Sequence, residues 1–275
     1  MRTSSRFSPS TAVPFTARAL ADRSTSLGVW AFCLSAYAVL IVSIYPTVRD
    51  SAGFSQAFDE YPDALKEFLG GSSAFDITSG VGFVTAELYS LMLPLLLGIV
   101  AIGFGAGLGA DQQTGLMELI LSSPVSRRRI VLERTLAMLT TVSILAATTM
   151  ATIAVSSVAV DLGIGVGNLA AAAVSVTLFV SIHGSVAMAV GAATGSRSAA
   201  IGIATALFAS SYLLSALGGL VDWLEPARVV SLYHHAIGSN PLGNGWSIGD
   251  LGVLGAGFAT AAAIAVTLFE RRDIG

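Results

Sequence analysis

The chain has 275 residues, of which 54% are hydrophobic and only 11% charged, with a formal net charge of −3 and a mean hydropathy of +0.77. A soluble domain carries about 25% charged residues, so this composition excludes an ordinary water-soluble globule and points to a surface that faces lipid. Net charge discriminates little here, because placement outweighs the sum, and a lone Cys33 precludes an internal disulfide.

Residues 1–26 contain Arg2, Arg6, Arg18 and Arg23 but no long apolar core, so no cleavable signal peptide is expected there. Phe15, Ala19 and Leu20 fall at helical spacing with Arg18, Asp22 and Arg23 interleaved, the pattern of a short amphipathic helix lying on a membrane surface. Chance periodicity in a polar leader is the alternative. Crossing about 30 Å of hydrocarbon takes roughly 20 apolar residues, and stretches of that length recur between neighbouring ionisable residues. They predict six spans, at 27–48, 88–110, 135–160, 169–193, 198–221 and 251–269. Gly163, Gly165, Gly167 and Asn168 read as a turn ahead of the fourth. The expectation is an all-α polytopic membrane protein, one transmembrane domain over 1–275.

Orientation follows from Lys and Arg, which stay on the cytoplasmic side. With the N-terminus inside, Arg2, Arg6, Arg18, Arg23, Arg127, Arg128, Arg129, Arg134, Arg197, Arg271 and Arg272 fall inside, against Arg49, Lys66 and Arg228 outside. Both termini are therefore expected in the cytoplasm, in a cell (plasma or inner) membrane. Two outer segments are long, the acid-rich 49–87 and 222–250; the largest inner connection is 111–134, and 270–275 forms an inner tail.

Several chemistries fail on inspection. ATP hydrolysis needs a P-loop lysine, and the only lysine, Lys66, has no glycine loop before it and sits on the outer side. Gly103, Gly105, Gly107 and Gly109 lie at the end of a span, so close helix packing explains them better than a dinucleotide fingerprint. His183 is the only histidine within a span. Ser181 and Ser185 are two residues from it, on another helical face, which leaves intramembrane serine proteolysis without a dyad. His234 and His235 lack a Cys, Asp or Glu at ligand spacing, so no metal site is expected. No residue is assigned a catalytic role, and nothing points to nucleic acid. Ion-coupled transport is the stronger rival, because an intramembrane ionisable group is a functional candidate. His183 is the candidate intramembrane polar site; the alternative is a neutral imidazole hydrogen-bonded to a neighbouring helix. Every acidic residue falls at a span end or in a loop, so the energy source is expected outside this chain.

The inner loop carries the most information. From Asp111 to Leu121, Leu116, Leu119 and Ile120 keep helical spacing, and Pro124 ends the run. Ser126 is placed to cap a new helix whose first turn holds Arg127, Arg128 and Arg129, where cations oppose the helix dipole. A short amphipathic helix ending in a proline and a basic cluster suits docking into a partner's groove; a plain topology anchor explains the arginines about as well.

The run from Glu118 through Ser123, Pro124, Val125 and Ser126 to Arg127 resembles the E-x-L-L-x-x-P-V-[ST]-R signature of ABC-2-type ABC transporter permeases, and like that signature it follows the second span. The similarity covers nearly the whole chain. Arg18 to Trp30, with Phe15, Ala19 and Arg23, looks like the family's elbow helix; Tyr45-Pro46 matches the end of the first span. Phe269 to Ile274 resembles the basic tail, and 222–250 matches the outer re-entrant helices of a type-2 exporter fold. The resemblance implies an ATPase-coupling role for Asp111, Gly115, Glu118, Ser123, Pro124, Arg127, Arg128 and Arg129. Asp111, Gln113 and the order Thr114-Gly115 depart from the usual E-x-E-x-G-T, which leaves the first coupling contacts unassigned. It further implies two copies of an ATP-binding subunit, a second permease subunit in a homo- or heterodimer, and surrounding lipid. No cofactor is expected in this chain, ATP and magnesium being bound by the partner. A hydrophobic small molecule or drug is the expected cargo.

Overall fold

The computed structural model describes residues 24–51, 78–114, 126–219 and 221–272. The amphipathic helix expected around Phe15, Arg18, Ala19 and Arg23 lies outside them, as do residues 52–77 and 115–125. Regular structure among the described residues is entirely helical. In chain order the helices are α1 (Ser24–Arg49), α2 (Gly80–Val84), α3 (Met92–Gln113), α4 (Arg127–Val160), α5 (Val166–Thr194), α6 (Arg197–Gly218), α7 (Pro241–Asn244) and α8 (Ile248–Arg271). A π turn, Thr85–Tyr89, joins α2 to α3, so that 80–113 forms one span with a break at Leu91. Among the described residues, six segments are long and apolar enough to cross a membrane.

Short connections force neighbouring helices antiparallel. The starts of α4 and α6 meet the ends of α3, α5 and α8 at one pole, where Arg127, Arg128, Arg129, Arg134, Arg197, Arg271 and Arg272 gather; only Arg49 and Arg228 among the described arginines stand at the other. We call these the arginine pole and the far pole. The turn before α5 is shorter than the glycine pattern predicts. It ends at Gly165, and Gly167 and Asn168 are already helical, because the left-handed Asp161 (φ 50°) and Gly163 (φ 67°) complete the reversal.

α5 is the central post. In its most apolar stretch 72% of residues are buried, against 22% in α1 and α8. Small residues make this possible. Gly105 of α3 lies against the backbone of Gly184 and the Ala187 methyl, and Gly109 against Gly191 and the Ser196 backbone, so the two helices meet nearly backbone to backbone. Gly103, by contrast, faces open space and Gly107 faces Arg134. Only alternate members of the glycine run therefore serve packing.

Hydrocarbon supplies no hydrogen bonds, so each break in a helix must be satisfied by protein. Tyrosines do this at the far pole. The buried Tyr89 hydroxyl donates to the carbonyls of Ala172 (3.0 Å) and Ala236 (3.3 Å), and Tyr233 donates to Ser90 O at 2.5 Å. Tyr45 donates to Thr78 O at 3.1 Å. The segment after α6 turns back into the bundle: a 3₁₀ stretch, Asp222–Val230, leads to a π turn, His234–Gly238, and to α7, with Ala236, Ile237 and Leu242 buried. The Tyr233 amide donates to Ser211 Oγ (2.8 Å), and Asn168 Nδ2 donates to Leu242 O (2.9 Å), pinning the segment to α6 and α5. Large apolar side chains point outward all round, among them Phe32 (74% exposed) and Val158 (87%), as lipid contact requires. Trp223 and Trp246 are exposed at the far pole, and indoles favour the boundary between lipid and water.

Candidate functional site: the arginine pole and the hollows above it

The start of α4 is fixed by Ser126, whose Oγ accepts from the Arg129 amide at 3.4 Å, as the capping pattern predicts. The three arginines that follow are treated differently. Arg127 turns inward and donates to the main-chain carbonyl of Arg272, just past α8. Arg129 pairs one turn on with Glu133 (Nε to Oε1, 2.6 Å). Arg128 is exposed and has no side-chain partner among the described residues. Of the cluster, it alone is fully presented.

Two residues that the loop pattern does not single out complete the arrangement. Arg134 Nη2 pairs with Asp111 Oδ2, with side chains only 14% and 19% exposed, so the last turn of α3 is tied to the second turn of α4 across the inner loop. Arg272 Nη1 donates to Ala192 O at 2.9 Å, placing a cation at the C-terminal end of α5, where the dipole favours it. Gly195 (φ 66°) turns the chain there; a Cβ on it would collide with the Arg272 guanidinium and the Gln112 side chain. The chain Arg127–Arg272–Ala192 thus links the first turn of α4 to α8 and α5. Of the predicted coupling residues, Asp111, Arg127, Arg128 and Arg129 come together at this pole. Gly115, Glu118, Ser123 and Pro124 lie outside the described residues. A signal for Arg134 was present in the sequence: it stands seven residues after Arg127, on the same helical face, and is the last charge before a long uncharged run.

Further into the bundle, His183 is fully buried on α5. Its Nδ1 lies 2.8 Å from Phe179 O. A carbonyl can only accept, so Nδ1 carries the hydrogen, and Nε2 has no partner among the described residues. The bond is thus to the preceding turn of its own helix, not to a neighbouring helix as the sequence suggests, because an i−4 carbonyl is the nearest acceptor a helical side chain meets. The ring lies edge-on between Phe179 (4.7 Å) and Phe208 (5.1 Å). Phe208 in turn lines an apolar hollow of about 280 Å³ between α3 and α6.

At the far pole the His234–His235 pair has an acid after all. His235 Nδ1 lies 2.7 Å from Asp250 Oδ1, and Nε2 lies 2.7 Å from Val229 O. Sequence spacing hides this pair, since the two stand 15 positions apart with α7 between them. Burial, then the charges of Arg228 and His235, hold the His234 imidazole below its ordinary value. No group of three metal-ligating side chains exists among the described residues.

Comparison with curated proteins finds no match. A family profile described as the multidrug efflux system permease Rv1217c, C-terminal domain, matches residues 16–270. That range takes in the six spans, the inner loop with its Glu118–Arg127 signature and most of the arginine pole. The chain therefore belongs to the Rv1217c C-terminal-domain family of multidrug efflux permeases, an ABC-2-type permease family.

Proposed function

We propose that this chain is the membrane-spanning subunit of an ATP-driven exporter of hydrophobic small molecules, with hydrolysis carried out by two copies of a separate ATP-binding subunit docked at the arginine pole. One observation carries the reading: the signature loop 115–125 is bounded at both ends by clamps. The Asp111–Arg134 pair holds its entry, and the Arg127–Arg272–Ala192 chain holds its exit to the core. A push on that loop is thereby passed to α3, α4, α5 and α8 together. ATP binding would close the ATPase pair, and the helix bundle would follow, because nucleotide favours whichever state brings the docking sites together. The gathering of arginines supports a cytoplasmic arginine pole and hence cytoplasmic termini in a cell membrane. The matched family is named for a C-terminal domain, which supports a transport unit built from two six-helix units, either two copies of this chain or this chain with a second permease. ATP and magnesium would reside in the ATPase partner. The multidrug name of the family supports an apolar cargo, as does the apolar hollow beside Phe208.

An ion-coupled carrier built on His183 is not favoured: its ring is enclosed by Phe179 and Phe208, and the described acids all lie toward the poles. The test is reconstitution into vesicles with the P-loop ATPase that copurifies. Nucleotide-dependent efflux of an apolar dye, abolished when the ATPase cannot hydrolyse, is the expected result. Efflux by the chain alone, driven by a proton or sodium gradient, would overturn the proposal.

A further inference from the structure

At the far pole one imidazole joins the segment after α6 to the first turn of α8. His235 Nδ1 lies 2.7 Å from Asp250 Oδ1, and Nε2 lies 2.7 Å from the carbonyl of Val229, near the end of the 3₁₀ stretch Asp222–Val230. Both neighbours are acceptors. A carbonyl oxygen has no hydrogen to give, so Nε2 carries one. Asp250 stands in the first turn of α8, where the dipole favours a carboxylate, and its other oxygen accepts from the Ser247 hydroxyl. Nδ1 therefore carries a hydrogen as well, and the ring is an imidazolium. Moving that proton to Asp250 leaves the count unchanged. The two bonds together need one proton more than a neutral ring beside a carboxylate holds.

We infer that His235 is a proton-operated latch, which fastens the 3₁₀ stretch to the start of α8 and lets go of one of them on losing its proton. A neutral imidazole has a single N–H, so it keeps one bond and turns a lone pair on the other acceptor. Histidine changes charge between about pH 5 and 8, so the latch is closed in acid and opens as the medium turns alkaline. The side chains are 12% and 27% exposed, enough for water to exchange the proton. Released, the stretch keeps its seat on α6, where Ser231 Oγ donates to Ser211 O at 2.6 Å. The charges around the ring are few. His234, with ring centroids 5.8 Å away, and Arg228 stand on its own segment and oppose its protonation when cationic. Asp222 and Glu225 complete the ionisable groups of the 3₁₀ stretch. α5 brings only His183, deep in the bundle, and α6 brings Tyr212 beside Tyr233, its Arg197 lying at the arginine pole. On α8 the other charges, Glu270 and Arg271, also lie at the arginine pole, so Asp250 is the counter-ion. Which medium the ring samples follows from the orientation proposed above; the latch itself depends on neither cargo nor energy source.

The experiment uses the full chain purified in detergent. Amide hydrogen exchange is read by mass spectrometry at about pH 5 and about pH 8, the ends of the range in which histidine changes charge. Rates are scaled to the same peptides in the unfolded chain. Peptides from 222–235 should exchange about tenfold faster at the higher pH, the worth of one charge-assisted bond, while α5 should show no step. His235→Gln and Asp250→Asn should each exchange at the faster rate at both pH values. A step absent from the unsubstituted chain overturns the latch, whatever the variants do. A step that survives in either variant overturns it, as does one abolished by His234→Gln with His235 intact. A step of equal size in α5 would report general loosening of the bundle, and overturns the latch too.

Discussion

Gly103 and Gly105 are two residues apart and chemically identical, yet the fold asks opposite things of them. Added at Gly105, a methyl would run into the backbone of Gly184; at Gly103 it would meet nothing. Gly105→Ala should destabilise the bundle by about 1–3 kcal/mol through overpacking, while Gly103→Ala should leave thermal unfolding in detergent unchanged. His183 presents a similar contrast between burial and use. His183→Ala would leave a cavity between Phe179 and Phe208 and should cost about 2–5 kcal/mol, the range for emptying a buried site. Nucleotide-dependent efflux should survive in whatever fraction remains folded, and loss of efflux with unaltered thermal stability would assign the ring a transport role. That His183 is buried was legible from its place in an apolar run. That it bonds to its own helix was not, because the choice of partner depends on which carbonyls the neighbouring helices leave within reach.

At the level of elements, the loop between α3 and α4 is held by two different clamps, and they predict different failures. Arg128 is exposed, so Arg128→Glu should weaken copurification of the ATPase without changing stability. Arg272→Gln removes the link from the start of α4 to Ala192 and should do the reverse: the ATPase still binds and hydrolyses, but dye efflux per ATP falls. The Asp111–Arg134 pair is testable by a double-mutant cycle. Asp111→Asn and Arg134→Gln should couple by about 0.5–3 kcal/mol in thermal unfolding, as residues sharing one ion pair do. Additive effects would mean that the pair contributes nothing. The sequence pattern singles out Asp111 and the arginine triplet, because cap, proline and charge spacing are local. It does not reveal that Arg127 faces inward while Arg128 faces out, since a helix of charges looks uniform until its neighbours are placed.

Over the whole molecule, charge divides the bundle into poles, and the proposed orientation is tested by labelling one pole against the other. In a Cys33→Ser background, which removes the lipid-facing thiol, a membrane-impermeant thiol reagent should label Trp223→Cys in intact cells and Arg128→Cys only after permeabilisation. Labelling in the opposite pattern would invert the topology and place the coupling loop outside, away from any ATPase. Trp223 suits the far-pole probe because it is 78% exposed beside α6.

The amino-acid order alone settles the class and number of the spans, the side on which arginine accumulates and the signature of the inner loop. All of these depend on composition and on contacts within a few residues, which a linear text records in full. Tertiary structure alone decides which helix is central, which glycines are contacts and which arginines are spent on the fold. It also unites His235 with Asp250. Those outcomes turn on the azimuth of each helix about its own axis, and in lipid that angle is weakly encoded. Nearly every face of these helices is apolar, so the choice of buried face falls to close packing of small residues between neighbours distant in the chain.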